Sequence, residues 1–414
     1  MKQTDIVYDL IIIGAGAAGL FAAANAPVDW NTLVLEKTDS PGKKLLLTGS
    51  GQCNLTNNEP IKAFLSRYGE NGKRLRPVLF PFSNLALMEY FEQNGLPLKV
   101  REDGKIFPSS LKSVDVLNLL LDRCKNNGVV IRYRSAVTEI AHNDESENAG
   151  YSVKITDGQY CSRSILVATG GESYPQTGSD GSLFACLEKF GLSLAPRRPA
   201  LTPIFVHDYP FSDLSGLAFQ KTVVTVEKRD DKKSVTVEGS LLITHKGFSG
   251  PSILEISRYA SESDRLIINY LPERTHEDLR LELIKTAAGD PRQIVTILES
   301  ITALPRSFLE RACNKSDIAK NEKASRLSGH EMGTLAEQIT ADSYKISSTG
   351  GFSVAMTTAG GVNLDEINIQ TMEAKRFTGL YFAGEVLDVD GDTGGYNLQF
   401  AFSSAKRSIE AMRS

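Results

Sequence analysis

Gly14, Gly16 and Gly19 stand at the spacing G-x-G-x-x-G, with Ala17 and Ala18 filling the interval. Each glycine suits a separate role. Gly14 suits a tight turn, Gly16 the close approach of backbone to a pyrophosphate, and Gly19 the packing of helix on strand. Glu36 follows at the expected distance of about 20 residues. A carboxylate there accepts hydrogen bonds from a ribose diol and repels a 2′-phosphate, which points to the adenosine half of FAD or NAD and away from NADP. A second group of candidates lies near the other end of the chain. Gly384 and Glu385 end an apolar run, and Gly394-Gly395-Tyr-Asn397-Leu398-Gln399 opens another. A carboxylate at a strand end suits ribitol hydroxyls, and a glycine-led helix start suits an electron-rich ring edge. Thr169, Gly170 and Gly171 end a third strand pattern and should face the same ligand. Acid–base chemistry has one weak candidate, His245 in a Thr-His-Lys-Gly turn, for which a hydrogen-bonded structural role is the plainer reading. Cys53 reads as a small packed residue, because it has no partner cysteine.

Local elements must hold these groups in place. Leu10–Ile13 reads as a buried parallel strand and Leu20–Ala26 as a helix, followed by a strand at Leu33–Glu36. Lys37–Lys44 is turn-rich, and Gly49–Asn57 is a small polar loop whose composition suggests function. Helical spacing marks Ala63–Tyr68, Asn84–Asn94 and Ser113–Asn126, with an Asp-Gly hairpin at Leu98–Phe107 between the last two. Val129–Tyr133 reads as a third parallel strand, giving the β-α-β order of a doubly wound sheet. Val137–Ile140 and Tyr151–Thr156 alternate as antiparallel strands around an acidic loop at His142–Asn148. Ser164–Thr169 is a further buried strand, and Gly181–Phe190 a helix. From Ala195 prolines punctuate the chain at Pro196, Pro199 and Pro203. Strands then read at Thr222–Lys228, Ser234–Glu238, Leu241–Thr244 and 265–271, with an exposed tip at Lys228–Lys233. Thr275–Arg326 is almost entirely helical in pattern. Strand–glycine patterns resume at Ser347, Gly379–Glu385 is a strand, and Asn397–Met412 a helix. The expected division is therefore a discontinuous nucleotide-binding domain over 1–194 and 346–414. An inserted domain fills 195–345, β-rich over 195–273 and helical over about 274–336.

Composition limits the function classes. The chain has 414 residues, 41% hydrophobic and 23% charged, an ordinary globular balance with room for two or three domains. A net charge of −4 and a pI near 5.9 give no overall basic character, so neither nucleic acid nor an anionic membrane is expected as the main partner. The apolar stretch Leu10–Ala24 is too short to span a bilayer and is preceded by Asp5 and Asp9 instead of a basic segment. Five scattered cysteines without a C-x-x-C pair suit a reducing cytoplasm and suggest no metal site.

Taken together, Leu10–Gly19, Gly42-Lys-Lys-Leu45 with Gly49–Asn57, Ala168–Gly178, Thr244–Pro251 and Gly379–Gln399 resemble the bacterial BaiN/YhiN-type FAD-dependent oxidoreductases, to which aminoacetone oxidase-like flavoproteins are related. The resemblance runs in register over most of the chain and is weakest over 275–340. It implies an α/β fold: a Rossmann-like, doubly wound FAD-binding domain built from both ends of the chain, with an inserted β-barrel-like domain and a helical subdomain. It implies that Gly14, Gly16 and Gly19, with Ala17 and Ala18 between them, hold the pyrophosphate, and that Glu36, with Lys37 beside it, serves the adenosine ribose. Val137 would lie near the adenine. Lys44, Asn54 and Thr56 would run along the cofactor with Thr169, Gly170 and Gly171. Gly384 and Glu385 would meet the ribitol, and Gly395, Asn397, Leu398 and Gln399 the isoalloxazine, the middle third of the chain covering the ring. The activity implied is FAD-dependent oxidoreduction of a small organic molecule, with NAD(P)H as a candidate transient electron donor. An oxidase using O2 on a small amine, a classical NAD dehydrogenase and a non-catalytic flavin-binding protein are the alternatives. Three departures stand out. Gln52 replaces the family's usual arginine and brings no guanidinium to that rim. The loop after Thr177-Gly-Ser179 is one residue shorter, and Ala405 follows Ser404 where glycine is common.

Overall fold

The computed structural model describes residues 7–142, 150–229 and 234–413. The expected acidic loop over 143–148, the hairpin tip over 230–233 and Asp5 lie outside the described residues. Two compact units are present: Met1–Pro199 with Met356–Ser414, and Ala200–Ala355.

In the first unit, strand β1 (Val7–Ile13) is the centre of a mixed sheet. It pairs in parallel with β2 (Thr32–Leu35) on one side and with Gly158–Val167 on the other. Val130–Arg132 extends the sheet beyond β2, and Leu380–Phe382 extends it beyond Gly158–Val167, both in parallel. The continuous apolar run of β1 follows from burial of both faces. Leu10 and Ile12 join a core with Phe21, Leu120 and Phe402, while Ile11 and Ile13 join another with Val153, Leu187 and Phe382. Gly158–Val167 has two roles, since its first half pairs antiparallel with Tyr151–Ile155. Helix α1 (Ala17–Asn25) is alanine-rich and packs on the C-terminal helix Tyr396–Met412, with the Phe21 and Phe402 ring centroids 4.9 Å apart. Both ends of the chain thus build one sheet and one helical layer.

Several expectations over the first unit need local revision. Lys43 already begins a helix, α2 (Lys43–Leu47), after Gly42 in a left-handed turn. The helix expected over Ala63–Tyr68 ends at Phe64 and continues as a tighter helix to Leu75, kinked at Gly69. Leu194–Ala200, which the sequence reading marked only by its prolines and assigned to no element, is a strand paired with Thr357–Val362. A two-stranded sheet has only outer strands, and an outer strand tolerates Pro196 and Pro199 where a central one would not.

The second unit is a closed barrel. Its staves, in order around the wall, are Ile204–Val206, Phe248–Ser249, Ser234–Ile243, Ala218–Glu227, Arg265–Asn269 and Asp342–Thr349. Val224 and Val226 point into the core and alternate with half-exposed neighbours. Helices His276–Ala287, Ile294–Thr302, Arg306–Lys315 and Gly329–Thr340 complete the unit. Phe308 lies 5.0 Å from Phe219 and 4.5 Å from Tyr270. The buried Asp342 carboxylate accepts hydrogen bonds from Lys315 and Tyr344, tying helix to barrel. The strand seen at Ser347 is therefore the last stave of the barrel. The compact units divide at Pro199/Ala200 and Ala355/Met356, against 194/195 and 345/346 read from sequence, because a strand pattern does not disclose which sheet a strand joins.

Candidate dinucleotide-binding cleft

The parallel strands of the first unit all bring their carboxyl ends to one edge, and an open cleft lies there. Gly14 and Gly16 line it and Gly19 does not, and the three glycines differ in what limits them. Gly14 has φ 102°, and a Cβ there would lie 2.6 Å from the Ala168 carbonyl oxygen. A Cβ on Gly19 would lie 1.9 Å from the Gly14 oxygen, so this glycine lets α1 sit directly on the strand turn. A Cβ on Gly16 would meet nothing within 4 Å. Gly16 is also the N-cap of α1 and no side chain caps that end. Open space and unshared helix N–H groups therefore coincide at one point, which is what a phosphate requires.

Glu36 is 8% exposed at the end of β2. Its Oε2 accepts from the Ala15 amide at 2.8 Å and its Oε1 from the Thr38 amide at 2.8 Å. The carboxylate is thus held facing the cleft with lone pairs to spare. Lys37 also lines the cleft, but its ammonium is bound to Asp180 and Ser182.

At Glu385 the structure shows a network that sequence reasoning missed. Glu385 Oε2 accepts from Lys44 Nζ at 2.6 Å, and Oε1 accepts from the Ser173 hydroxyl at 2.7 Å and the Thr358 amide at 2.8 Å. Lys44 also reaches Ser173. Burial alone pushes the Glu385 carboxyl upward, but Lys44, Ser173 and the Thr358 amide outweigh it and hold it below the usual range. Gly171 sits against this cluster, where a Cβ would lie 2.3 Å from Thr358 Oγ1 and 2.9 Å from Glu385 Oε1. The signal available for Thr358 and its neighbour Thr357 was Thr-Thr-Ala-Gly-Gly, a strand pattern running into glycines.

Of the other site residues read from sequence, Ala17, Ala18, Val137, Thr169, Gly170, Gly384, Asn397 and Leu398 all line the cleft. Asn397 additionally binds the Gly391 backbone through both its amide groups. Asn54, Thr56, Gly395 and Gln399 do not line it. Asn54 Oδ1 accepts from the Ile106 amide at 3.3 Å. The buried Thr56 hydroxyl donates to Gln399 Oε1 at 2.7 Å, and Gln399 donates to Phe82 O and Ser403 Oγ. A Cβ on Gly395 would lie 2.6 Å from Thr56 Cα. Three of these positions therefore serve the packing of a short strand against the C-terminal helix. It follows that Gly395→Val would disturb Thr56 whether or not a ring binds nearby.

His245 is exposed on a barrel turn of the second unit, and no hydrogen bond to its ring is found among the described residues. Cys53 is fully buried, and burial pushes its thiol up to about 12, which leaves it unreactive. Gln52 accepts a hydrogen bond from Arg101, whose guanidinium lies 4.0 Å from the Phe107 ring centroid. A guanidinium thus stands at that rim after all, supplied from the neighbouring hairpin. Among the described residues, no helix is long and apolar enough to cross a membrane, and no group of His, Cys, Asp or Glu is placed to hold a metal.

A parallel sheet ending in this fingerprint, with a carboxylate at the second strand and a barrel inserted into the chain, defines a Rossmann-type flavoprotein oxidoreductase. Residues 8–410 match the model of the HI0933-like protein Rossmann domain family, and the chain belongs to that family, that of the BaiN/YhiN-type flavin-dependent oxidoreductases. It is 32% identical over 403 residues to the "Ribosomal RNA dihydrouridine synthase" of Escherichia coli K12, covering 96% of each chain. It is also 32% identical over 403 residues to the "3-dehydro-bile acid delta(4,6)-reductase" of Clostridium scindens, covering 95% of this chain and 96% of that one. The fold is similar to that of a 3-ketosteroid-delta4-(5alpha)-dehydrogenase from Rhodococcus jostii RHA1, with a TM-score of 0.54 at 16% identity over 100% of this chain and 98% of the other.

Proposed function

We propose that this chain is an FAD-dependent reductase that saturates a carbon–carbon double bond conjugated to a carbonyl, with uracil in ribosomal RNA as its substrate. The carrying observation is that two relatives of equal identity, each matched over nearly its whole length, share one chemistry in their names. Dihydrouridine is uridine with the double bond beside its 4-carbonyl saturated. A delta(4,6)-reductase of a 3-dehydro compound acts on double bonds conjugated to the 3-oxo group. A third relative, from Haemophilus influenzae and 31% identical over 400 residues, also has ribosomal RNA in its name. The acidic pI does not oppose an RNA substrate, because it averages the whole surface and a local contact needs only a few cations. Arg101, poised over Phe107 beside Gln52, is one such cation.

FAD, when bound, supplies the two-electron chemistry; the protein positions it. Gly14, Gly16 and the first amides of α1 would hold the pyrophosphate, and Glu36 the adenosine ribose near Val137. Lys44 and Glu385 would meet the ribitol, with Thr169–Gly171 alongside and Asn397 and Leu398 toward the ring. NAD(P)H is the electron source in this reading.

Anaerobic stopped-flow tests it. Purified protein mixed with NADH or NADPH should lose its visible flavin band. An unmodified ribosomal RNA transcript should then restore the band faster than buffer does. Recovery with a 3-oxo-4-ene steroid but not with RNA would move the substrate to the second relative's class. Recovery with oxygen alone would replace the proposal by the oxidase reading.

A further inference from the structure

We infer that the hydroxyl of Thr357 is a hydrogen-bonding contact to the ribityl–flavin half of the bound cofactor, a positioning residue set beside the Lys44–Glu385 cluster. Thr357 opens the strand Thr357–Val362, all of whose residues are buried, and is itself 1% exposed. It lines the cleft, yet its Oγ1 has no hydrogen-bond partner among the described residues. The next residue is the opposite case. Thr358 Oγ1 accepts from the Glu172 amide at 2.8 Å and the Ser173 amide at 3.1 Å, while the Thr358 amide donates to Glu385. Local structure therefore accounts for the second threonine and leaves the first unmatched.

A buried hydroxyl left unmatched is destabilising, and valine has nearly the same shape without that penalty. A threonine at such a position on a cleft wall is explained by a ligand atom that completes it. The chemistry needed is a polar group, acceptor or donor, since a hydroxyl is both. The ribityl hydroxyls and the ring carbonyls of a flavin meet that need. Thr357 is placed toward that half because its neighbour is bonded to Glu385, whereas the fingerprint half of the cleft is governed by Glu36 on a different strand. This assignment rests on the FAD reading above.

Two variants of the full chain test it, Thr357→Val and Thr357→Ser, each measured with FAD and after FAD removal. Thr357→Val should raise the FAD dissociation constant about three- to tenfold, the worth of one net hydrogen bond, and displace the visible flavin bands. The thermal midpoint of the FAD-free chain should stay unchanged or rise, because a methyl replaces an unmatched hydroxyl. Thr357→Ser should keep wild-type affinity within about twofold, since it retains the hydroxyl. The opposed signs, weaker cofactor binding with equal or higher FAD-free stability, are not what a purely structural threonine would give. Wild-type FAD affinity and spectrum in Thr357→Val would overturn the inference, including where only a substrate KM changes. A lower midpoint in the FAD-free variant would overturn it too, by showing that the hydroxyl has a protein partner. A wild-type chain that binds no FAD would instead defeat the functional reading itself, and is recognised before any variant is made.

Discussion

Gly16→Val is expected to yield a folded protein that no longer retains flavin, whereas Gly19→Ala is expected to fail by unfolding. The two glycines are three residues apart in one motif, but the structure gives them opposite constraints. At Gly16 the backbone is extended, with φ −84° and ψ −167°, which valine adopts without strain. Its Cβ would meet no protein atom, so the branched side chain extends into the space where a pyrophosphate would approach. Loss of two or so charge-assisted contacts at a helix N-terminus corresponds to about 3 kcal/mol or more, a fall of at least ~100-fold in FAD affinity. At Gly19 even one added carbon would lie 1.9 Å from the Gly14 carbonyl oxygen, so α1 must move off the strand turn. The cost should be about 3 kcal/mol, at the upper end for an overpacked site. Thermal melts followed by circular dichroism, together with FAD titration, separate the two failures. Flavin retained by Gly16→Val, or a wild-type melt for Gly19→Ala, would refute this division of labour.

The second large effect is expected at Glu385. Glu385→Gln keeps the shape but leaves the Lys44 ammonium, only 23% exposed, facing a neutral amide. Breaking a fully buried pair costs about 3–5 kcal/mol; partial exposure here lowers the expectation to about 2 kcal/mol. Lys44→Met combined with Glu385→Gln should recover part of that loss, because no unpaired charge remains. The pH dependence has a definite sign. The folded-state pKa of Glu385 is lowered, so its contribution is complete above the unfolded value of about 4.3 and disappears as pH falls through the folded one. The stability gap between wild type and Glu385→Gln should therefore be widest near neutrality and narrow on acidification. Urea titrations at neutral and acidic pH measure this gap. A gap of constant size would show that the ionised carboxylate is not what holds the cluster.

How much of the site was legible depended on what each signal encodes. The glycine fingerprint and Glu36 could be read directly, because a tight turn, an open approach and a strand-end carboxylate are local properties of a few adjacent residues. Asn54, Thr56, Gly395 and Gln399 carry similar polar or glycine-rich signals, yet the structure gives each of them a protein neighbour instead of a place on the cleft wall. Close approach to a backbone and close approach to a cofactor select the same residue type, so glycine at 395 did not distinguish Thr56 from a flavin. The Lys44–Ser173–Thr358–Glu385 cluster joins positions separated by up to 341 residues and has no linear signature.

From its residues alone this protein was determined to be an α/β nucleotide-binding chain with a β-rich and then helical stretch inserted into it, since strand burial, helical period and turn chemistry are written in short windows; the barrel was implied only by the family resemblance. Tertiary structure alone decided that Asp342–Thr349 closes the barrel, that Arg101 brings a guanidinium to Gln52, and that Thr358 is satisfied while Thr357 is not. Each of these depends on which distant segment becomes a neighbour, and a hydrogen bond or a strand pairing exists only once the partner has been brought within reach.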